Sequence, residues 1–202
     1  DSSSQGTITH PSSSGNKRQK ITRGPSARAA EDVKEELDQL GLTNVQVHVQ
    51  YHEKSGMKYF TAEYNKQKCF VKVFDQSLEA YAIQEHAALK QLHNVEGVPR
   101  LLLYDRLVKS DSFVVVIEHC GSNLRDLLAS DPSKVESNLL KIVDKLQFIL
   151  HEVHQTYGIL HGDLKTSNIC LQQSKEDVLQ VFKVFIIDWD HSVFIKDISD
   201  TM

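Results

Sequence analysis

Val45, Val47, Val49 and Tyr51 alternate with Gln46, His48 and Gln50, and a period of two held across this stretch predicts a half-buried strand. Two more strands are predicted over residues 58–64 and 68–74, joined through Asn65-Lys66-Gln67. A helix follows over 76–93, with Ile83, Ala87, Leu89 and Leu92 as its apolar positions, and then strands over 101–107 and 113–118. After the break at Cys120-Gly121 the pattern changes. A short helix is predicted over 124–129, a long one over 135–157, and short strands near 159–160, 169–171 and 182–187. Ahead of all these, residues 29–41 read as a short helix stopped by Gly41. No internal repeat is visible. Several antiparallel-style strands with one helix among them, followed by mainly helical sequence, predict an α+β chain of two sub-regions, with Gly121 as the hinge between them.

Composition narrows the class. The chain has 202 residues, of which 40% are hydrophobic, 25% charged and 7% aromatic, which fits a soluble globular protein and excludes a collagen-like, wholly disordered or disulfide-stapled chain. A formal net charge of −4 gives no indication of nucleic acid as a partner. The longest purely apolar runs, such as 113–117, are far shorter than the roughly 20 residues that span a bilayer, so no membrane partner is expected. No apolar segment follows the N-terminus as a secretory signal would require. Three widely spaced cysteines, Cys69, Cys120 and Cys170, predict buried thiols and an intracellular setting. Residues 1–30 hold seven serines and no Leu, Val, Phe or Trp, and are expected to be a disordered tail. The Lys17-Arg18-Gln19-Lys20 cluster within it reads as a solvated basic patch, with a nuclear-import signal as the alternative. The chain starts with Asp1 rather than Met, and is expected to be a piece of a longer protein.

Candidate chemistry concentrates in His161-Gly-Asp163-Leu-Lys165-Thr-Ser-Asn168. A carboxylate and an amide five residues apart in a loop can face one pocket. There Asp163 can accept a hydroxyl proton, Asn168 can offer a carbonyl oxygen to a metal, and Lys165 can neutralise a phosphate. Taken alone, such a loop would be no more than a polar Asx turn. However, an apolar strand ending in Asp188-Trp189-Asp190 places hard oxygen ligands at a strand terminus twenty residues later. Upstream, Lys72 interrupts the apolar run Cys69-Phe-Val-Lys72-Val-Phe, and a lysine there either snorkels or meets a partner. Glu85, thirteen residues on, is the candidate partner.

The ordered series Lys72, Glu85, Glu118, His161–Asn168 and Asp188 resembles the eukaryotic protein kinase catalytic domain. Val71-Lys72 looks like its strand lysine motif, Val114-Val-Val-Ile117-Glu118-His119-Cys120-Gly121 its hinge, His161–Asn168 its catalytic loop, and Asp188-Trp189-Asp190 its D-F-G slot. The resemblance implies a two-lobe fold: a disordered tail over 1–30, a short helix and linker over 31–44, an antiparallel sheet lobe with one helix over 45–120, and an incomplete, mainly helical lobe over 121–202. It implies ATP and Mg²⁺ as cofactors and a protein hydroxyl as acceptor. Lys72 would hold the ATP phosphates and pair with Glu85. The backbone of Glu118 and Cys120 would meet the base, with Ile117 gating the space behind. Asp163 would orient or deprotonate the acceptor, Lys165 would stabilise the transferring group, and Asn168 and Asp188 would hold Mg²⁺. Lys165 points toward the serine/threonine type. His161 would be a packed structural residue.

The sequence also departs from the pattern. Of the phosphate-loop glycines, Gly56 alone precedes Lys72. Gly162 replaces an arginine that in the family often docks a phosphorylated loop. Trp189 and Asp190 replace Phe and Gly, and Asp190 is expected either to add a metal ligand or to repel the triphosphate. The 172–183 spacer reads as an exposed insertion. Since 12 residues follow Asp190, the apolar face of the long helix (Leu139, Ile142, Val143, Leu146, Ile149, Leu150) is expected to lack part of its cover, leaving this stretch poorly stable alone. Two alternatives stand beside the kinase reading: a catalytically impaired binding module, and a small-molecule phosphotransferase resembling the aminoglycoside and choline kinases.

Overall fold

The computed structural model describes residues 25–48, 56–173 and 182–195. Residues 1–24 of the predicted tail, with the Lys17–Lys20 cluster, and most of the 172–183 spacer lie outside the described residues. Five strands form one antiparallel sheet in the order β1-β2-β3-β5-β4: β1 (Leu42–Val47), β2 (Met57–Tyr64), β3 (Gln67–Phe74), β4 (Leu101–Leu107) and β5 (Ser112–Glu118). The β2–β3 hairpin closes with Tyr64 opposite Gln67, through Asn65 and Lys66 at φ 50° and 65°. Two successive positive φ values make the turn whose twist matches that of paired strands.

The apolar run of β5 is explained by cover on both faces. Val114 and Val116 join one buried cluster, with Val33, Leu37, Val71 and Val73. Phe113, Val115 and Ile117 join another, with Phe74, Ala82, Ala88 and Leu89. The second face is covered by α2 (Glu79–Gln91) and the first by α1 (Pro25–Gln39). A strand buried on both sides has no reason to alternate.

Helix α1 corrects the predicted boundaries. It begins at Pro25, inside the stretch read as tail, and β1 follows at Leu42 rather than Val45. The helix is part of the core rather than a linker, since Val33 and Leu37 are fully buried. Its buried Glu36 accepts hydrogen bonds from the backbone N–H groups of Lys109 (2.6 Å) and Ser110 (3.1 Å), satisfying donors in the β4–β5 turn.

The long helix predicted over 135–157 is broken. Helix α3 (Leu124–Ser130), capped by Asn123 accepting from the Asp126 amide at 2.8 Å, precedes α4 (Pro132–Glu136) and α5 (Leu139–Glu152). The break falls at Ser137-Asn138, where both side chains donate to the Lys134 carbonyl, at 3.1 and 2.9 Å, and draw it from the helical ladder. Helix α5 ends in a wider π turn over Val153–Tyr157 and stops at Gly158 (φ 62°). Its Ile142 and Ile149 are buried, whereas Leu139 is 50% and Val143 40% exposed. Short strands complete the lobe: β6 (Ser122–Asn123), β8 (Ile169–Gln173) and β9 (Phe182–Ile186) form one sheet, and β7 (Ile159–Leu160) pairs with β10 (Val193–Phe194). Among the described residues no helix is long and apolar enough to cross a membrane.

Gly121 is a tight junction rather than a free hinge. A Cβ there would lie 2.2 Å from the Leu171 carbonyl oxygen, and φ is +90°. Strand β8 therefore approaches the connection between the lobes as closely as a glycine permits.

Because Leu37 is fully buried, Leu37→Ala is expected to lower unfolding free energy by about 2–5 kcal/mol. Denaturant unfolding of the two forms measures this. A change under about 0.5 kcal/mol, typical of an exposed position, would return α1 to the role of linker.

Candidate functional site

Lys72 lies mid-strand in β3 with its side chain on the α2 face of the sheet, and is 2% exposed. A buried ammonium needs compensation. It receives two carboxylates: Nζ is 2.6 Å from Glu85 Oε1 on α2 and 2.5 Å from Asp188 Oδ1 beyond β9. Asp188 adopts a left-handed backbone, φ 72° and ψ 62°, a conformation that non-glycine residues reach only when their surroundings hold them there.

Two acids share one base, and the pKa directions follow from that. Burial alone would lower the Lys72 pKa, but Asp188 and Glu85 outweigh it and hold the ammonium above its usual value. Burial opposes ionisation of Asp188, yet Lys72 prevails and lowers its pKa. Glu85 is the deeper acid and the loser: burial, only partly offset by Lys72, raises its pKa to about 7. Its second oxygen, Oε2, is buried with no hydrogen-bond partner.

The loop after β7 brings in the other predicted residues. His161 is buried, with Nε2 2.8 Å from the Ile187 carbonyl and its ring edge-on to Trp189 at 4.6 Å. Asp163 pairs with Lys165, which lowers the carboxyl pKa and raises that of the lysine. Asn168 donates through Nδ2 to the Asp163 carbonyl (3.0 Å) and carboxylate (3.3 Å). The Ile187 amide donates to the Asn168 carbonyl at 2.9 Å, which ties this loop to the strand end carrying Asp188. Lys72, Glu85, Asp163, Lys165, Asn168 and Asp188 thus belong to one connected assembly.

The donor set fits Mg²⁺. Hydrogen bonding turns the amide nitrogen of Asn168 toward Asp163, which leaves its side-chain oxygen, now accepting from the Ser167 hydroxyl at 3.3 Å, as the acceptor, and Asp188 supplies a carboxylate. Both are the hard oxygens this ion takes. Among the described residues no three His, Cys, Asp or Glu side chains converge on one metal position. Two protein oxygens would therefore share the ion with phosphate oxygens and water, which is how Mg²⁺ is usually held. Asp190, expected to face the metal or triphosphate, is instead 4% exposed, and its Oδ1 lies 2.8 Å from His191 Nδ1.

At the hinge, Glu118 ends β5 opposite Cys69, and its side chain accepts from the Arg100 amide at 2.8 Å. Cys120 donates its thiol to the Glu118 carbonyl at 3.3 Å and packs against Cys170 and Phe185. All three cysteines are buried free thiols. Gly56 opens β2, its carbonyl accepting from the Asp75 amide at 2.9 Å. Residues 53–55, which lead into Gly56 in the stretch read as the phosphate loop, and 49–51 at the end of the first predicted strand lie outside the described residues. A cavity of about 650 Å³ opens between the 93–98 connection, α5 and the hinge, and none of the six assembled residues lines it.

Several residues escaped the sequence reading. Tyr59 lies opposite Lys72, and its ring stacks with Phe70 at 5.9 Å on the same sheet face. Gln84, Tyr81, His191 and Ser192 join α2 to the turn after Asp188. No spacing rule marks them. Gly162 was visible as a missing arginine, and the structure supplies its reason: a Cβ there would lie 2.1 Å from the His191 carbonyl oxygen.

Comparison with known proteins agrees with this geometry. No protein-family model matches the chain. Over 121 residues it is 31% identical to the Serine/threonine-protein kinase VPS15 of Saccharomyces cerevisiae, a match that covers 59% of this chain and 8% of that protein. Among solved structures, the Cydia pomonella granulovirus kinase PK-1 superimposes with a TM-score of 0.57 at 15% identity, covering 83% of this chain and 60% of the viral one. The chain has a protein kinase-like fold. Its five-stranded sheet with α2 forms the kinase-type N-lobe, to which α1 adds cover on the other face, and the short strands and helices after Gly121 form part of the C-lobe. It spans less than a tenth of the yeast relative and under two thirds of the viral chain.

Glu85 gives the site a testable pH dependence. Its pKa is raised in the fold, to about 7, so its contribution to stability is full below the unfolded value and is lost as pH rises through about 7. Glu85→Gln cannot ionise. The melting temperature of wild type minus that of the variant is therefore expected to fall between about pH 5 and pH 8. A difference that rises with pH over this window would mean that Lys72 favours Glu85 over Asp188.

Proposed function

We propose that this chain carries the phosphoryl-transfer machinery of an ATP-dependent protein kinase, of serine/threonine type, acting with Mg²⁺. The observation that carries the proposal is the bridging of Lys72 between Glu85 and Asp188, with Asp163, Lys165 and Asn168 connected beside it. Lys72 is fixed and charged, ready to meet phosphate oxygens. Asp163, ionised and partly exposed, accepts the proton of the attacking hydroxyl. Lys165, bonded to Asp163, stands where it can offset charge on the transferring group. Asn168 and Asp188 would hold Mg²⁺, which when bound offsets charge on the phosphates. Phosphoryl transfer of this kind rests on positioning and charge neutralisation more than on covalent chemistry.

One observation favours the second reading, a binding module without transfer. Tyr59 and Phe70 place two stacked aromatic rings on the Lys72 face of the sheet, and His48 meets Phe70 edge-on at 5.4 Å.

Transfer of labelled phosphate from ATP to a mixture of protein substrates, with and without Mg²⁺, separates the two. Asp163→Ala is expected to lower the Mg²⁺-dependent rate by about 10²–10⁴-fold, the usual contribution of a positioned general base. Label is expected on serine or threonine. Equal rates in wild type and Asp163→Ala would remove the catalytic assignment and leave the binding module.

A further inference from the structure

Helix α2 meets the segment beyond Asp188 at places other than Lys72. Gln84 Nε2 donates to the Ser192 carbonyl at 2.8 Å and to the Ser192 hydroxyl at 3.3 Å. The Tyr81 and His191 rings lie 5.1 Å apart, tilted by 42°. The segment itself is a closed turn. Ser192 N–H donates to the Trp189 carbonyl at 3.1 Å, the Trp189 indole donates to the Ile186 carbonyl at 2.8 Å, and the Asp190 carboxylate holds the His191 imidazole at 2.8 Å. Trp189 is fully buried. From the catalytic loop, Gly162 presses against this turn so closely that any side chain would strike the His191 carbonyl, and its φ of +80° also favours glycine. The arginine that the kinase resemblance implies at this position has no room.

Resting on the phosphoryl-transfer reading, we infer that Gln84 is a positioning residue. It directly precedes Glu85 on α2, and its partner Ser192 follows Asp188 by four residues. The bond between them therefore joins the two elements whose carboxylates flank Lys72. It fixes the turn and azimuth of α2, and with them the reach of Glu85, while the seat on Gly162 fixes the other end. The arrangement around Lys72 is held by contacts internal to the chain: the amide of Gln84, the ring of Tyr81 and the close approach at Gly162.

The chemistry of the bond selects the variants. The shorter bond ends on a carbonyl, which can only accept, so the side chain at 84 must donate to make it, whereas the Ser192 hydroxyl can take either role. Gln84→Glu presents an acceptor to the carbonyl and breaks that bond, keeping at most the longer contact with the hydroxyl. Gln84→Arg keeps a donor. Gln84→Ala removes the donor without adding charge. All four residues are good helix formers, so α2 persists. Two readouts apply to the full chain whether or not it transfers phosphate. Trp189 is the single tryptophan, so acrylamide quenching of its emission reports the turn. Acetic anhydride labelling of Lys72, followed by mass spectrometry, reports the ion-pair assembly, and arginine does not react.

In Gln84→Glu and Gln84→Ala, Lys72 labelling is expected to rise about fivefold, the order of change that loss of one net hydrogen bond produces, and Trp189 quenching to increase. Gln84→Arg is expected to stay within about twofold of wild type on both measures. If the chain transfers phosphate, kcat is expected to fall in the Glu and Ala forms with little change in KM for ATP, and to recover in the Arg form. If wild type transfers none, the proposed function fails, and labelling still decides the role of Gln84. Should Gln84→Glu fail to fold, as shown by its melting curve, Gln84→Ala tests the same bond. Unchanged Lys72 labelling in the folded variants, even with greater quenching of Trp189, would overturn the inference. Gln84 would then stabilise the turn and position nothing.

Discussion

A single buried ammonium organises the molecule. Lys72 occupies the middle of a strand, on a face otherwise filled by Phe74, Val115 and Leu89, where an unpaired charge is not tolerated. Its two carboxylates lie 13 and 116 residues away in sequence. The first requires α2 to lie across the sheet. The second requires the end of β9, in the other lobe, to reach the same point. Replacing Lys72 leaves two carboxylates without their counter-charge, which is the costly way to break a buried pair, whereas replacing either acid leaves the lysine paired with the other. The relation between the lobes is therefore fixed by electrostatics as well as by apolar contact.

For Lys72 to be held this way the sheet beneath it must be rigid, and here the cover on the far face matters. Val71 and Val73, the neighbours of Lys72 in β3, point away from the site into the cluster completed by Val33 and Leu37 of α1. The pleat thus divides β3 between two tasks, one face for packing and one for the ion pair. Glu36, bonded to two backbone amides of the β4–β5 turn, anchors α1 at the opposite edge of the sheet. A helix at the outer face contributes to a site it does not touch, because the strand carrying the lysine is common to both.

The elements that were legible from sequence are those whose signal is local. Two runs rich in apolar and aromatic residues, joined through the polar Asn65-Lys66-Gln67, sufficed for β2 and β3. The lysine in an apolar strand announced an unseen partner, and Glu85 is that partner. The polar loop His161–Asn168 and the acid at the end of β9 stood out because such residues have no place in a core. What stayed hidden depends on geometry between distant segments. The apolar spacing of Val33 and Leu37 on α1 was within reach, yet the polar sequence around it masked the stripe. The break at Ser137-Asn138 arises from side chains competing for one carbonyl, whereas the apolar period runs straight through it. Gln84 bonds a backbone carbonyl 108 residues away, and a backbone partner leaves no pattern in the sequence.

The charge balance of the assembly carries a final consequence. Lys72 and Lys165 bring two positive charges, against three negative from Asp163, Asp188 and Glu85 when all are ionised. The site is a net acid, and a bare polyphosphate approaching it meets more repulsion than attraction. The uptake of a proton by Glu85 near neutral pH cancels this excess of one charge, and a divalent cation on Asn168 and Asp188 would make the site positive. Lys72 alone does not make the site attractive to phosphate, because its charge is already committed twice. The carboxylates that hold the lysine in place thus also cancel its charge, so the positive charge buried at the centre of the fold serves its own positioning before it can serve anything that enters from outside.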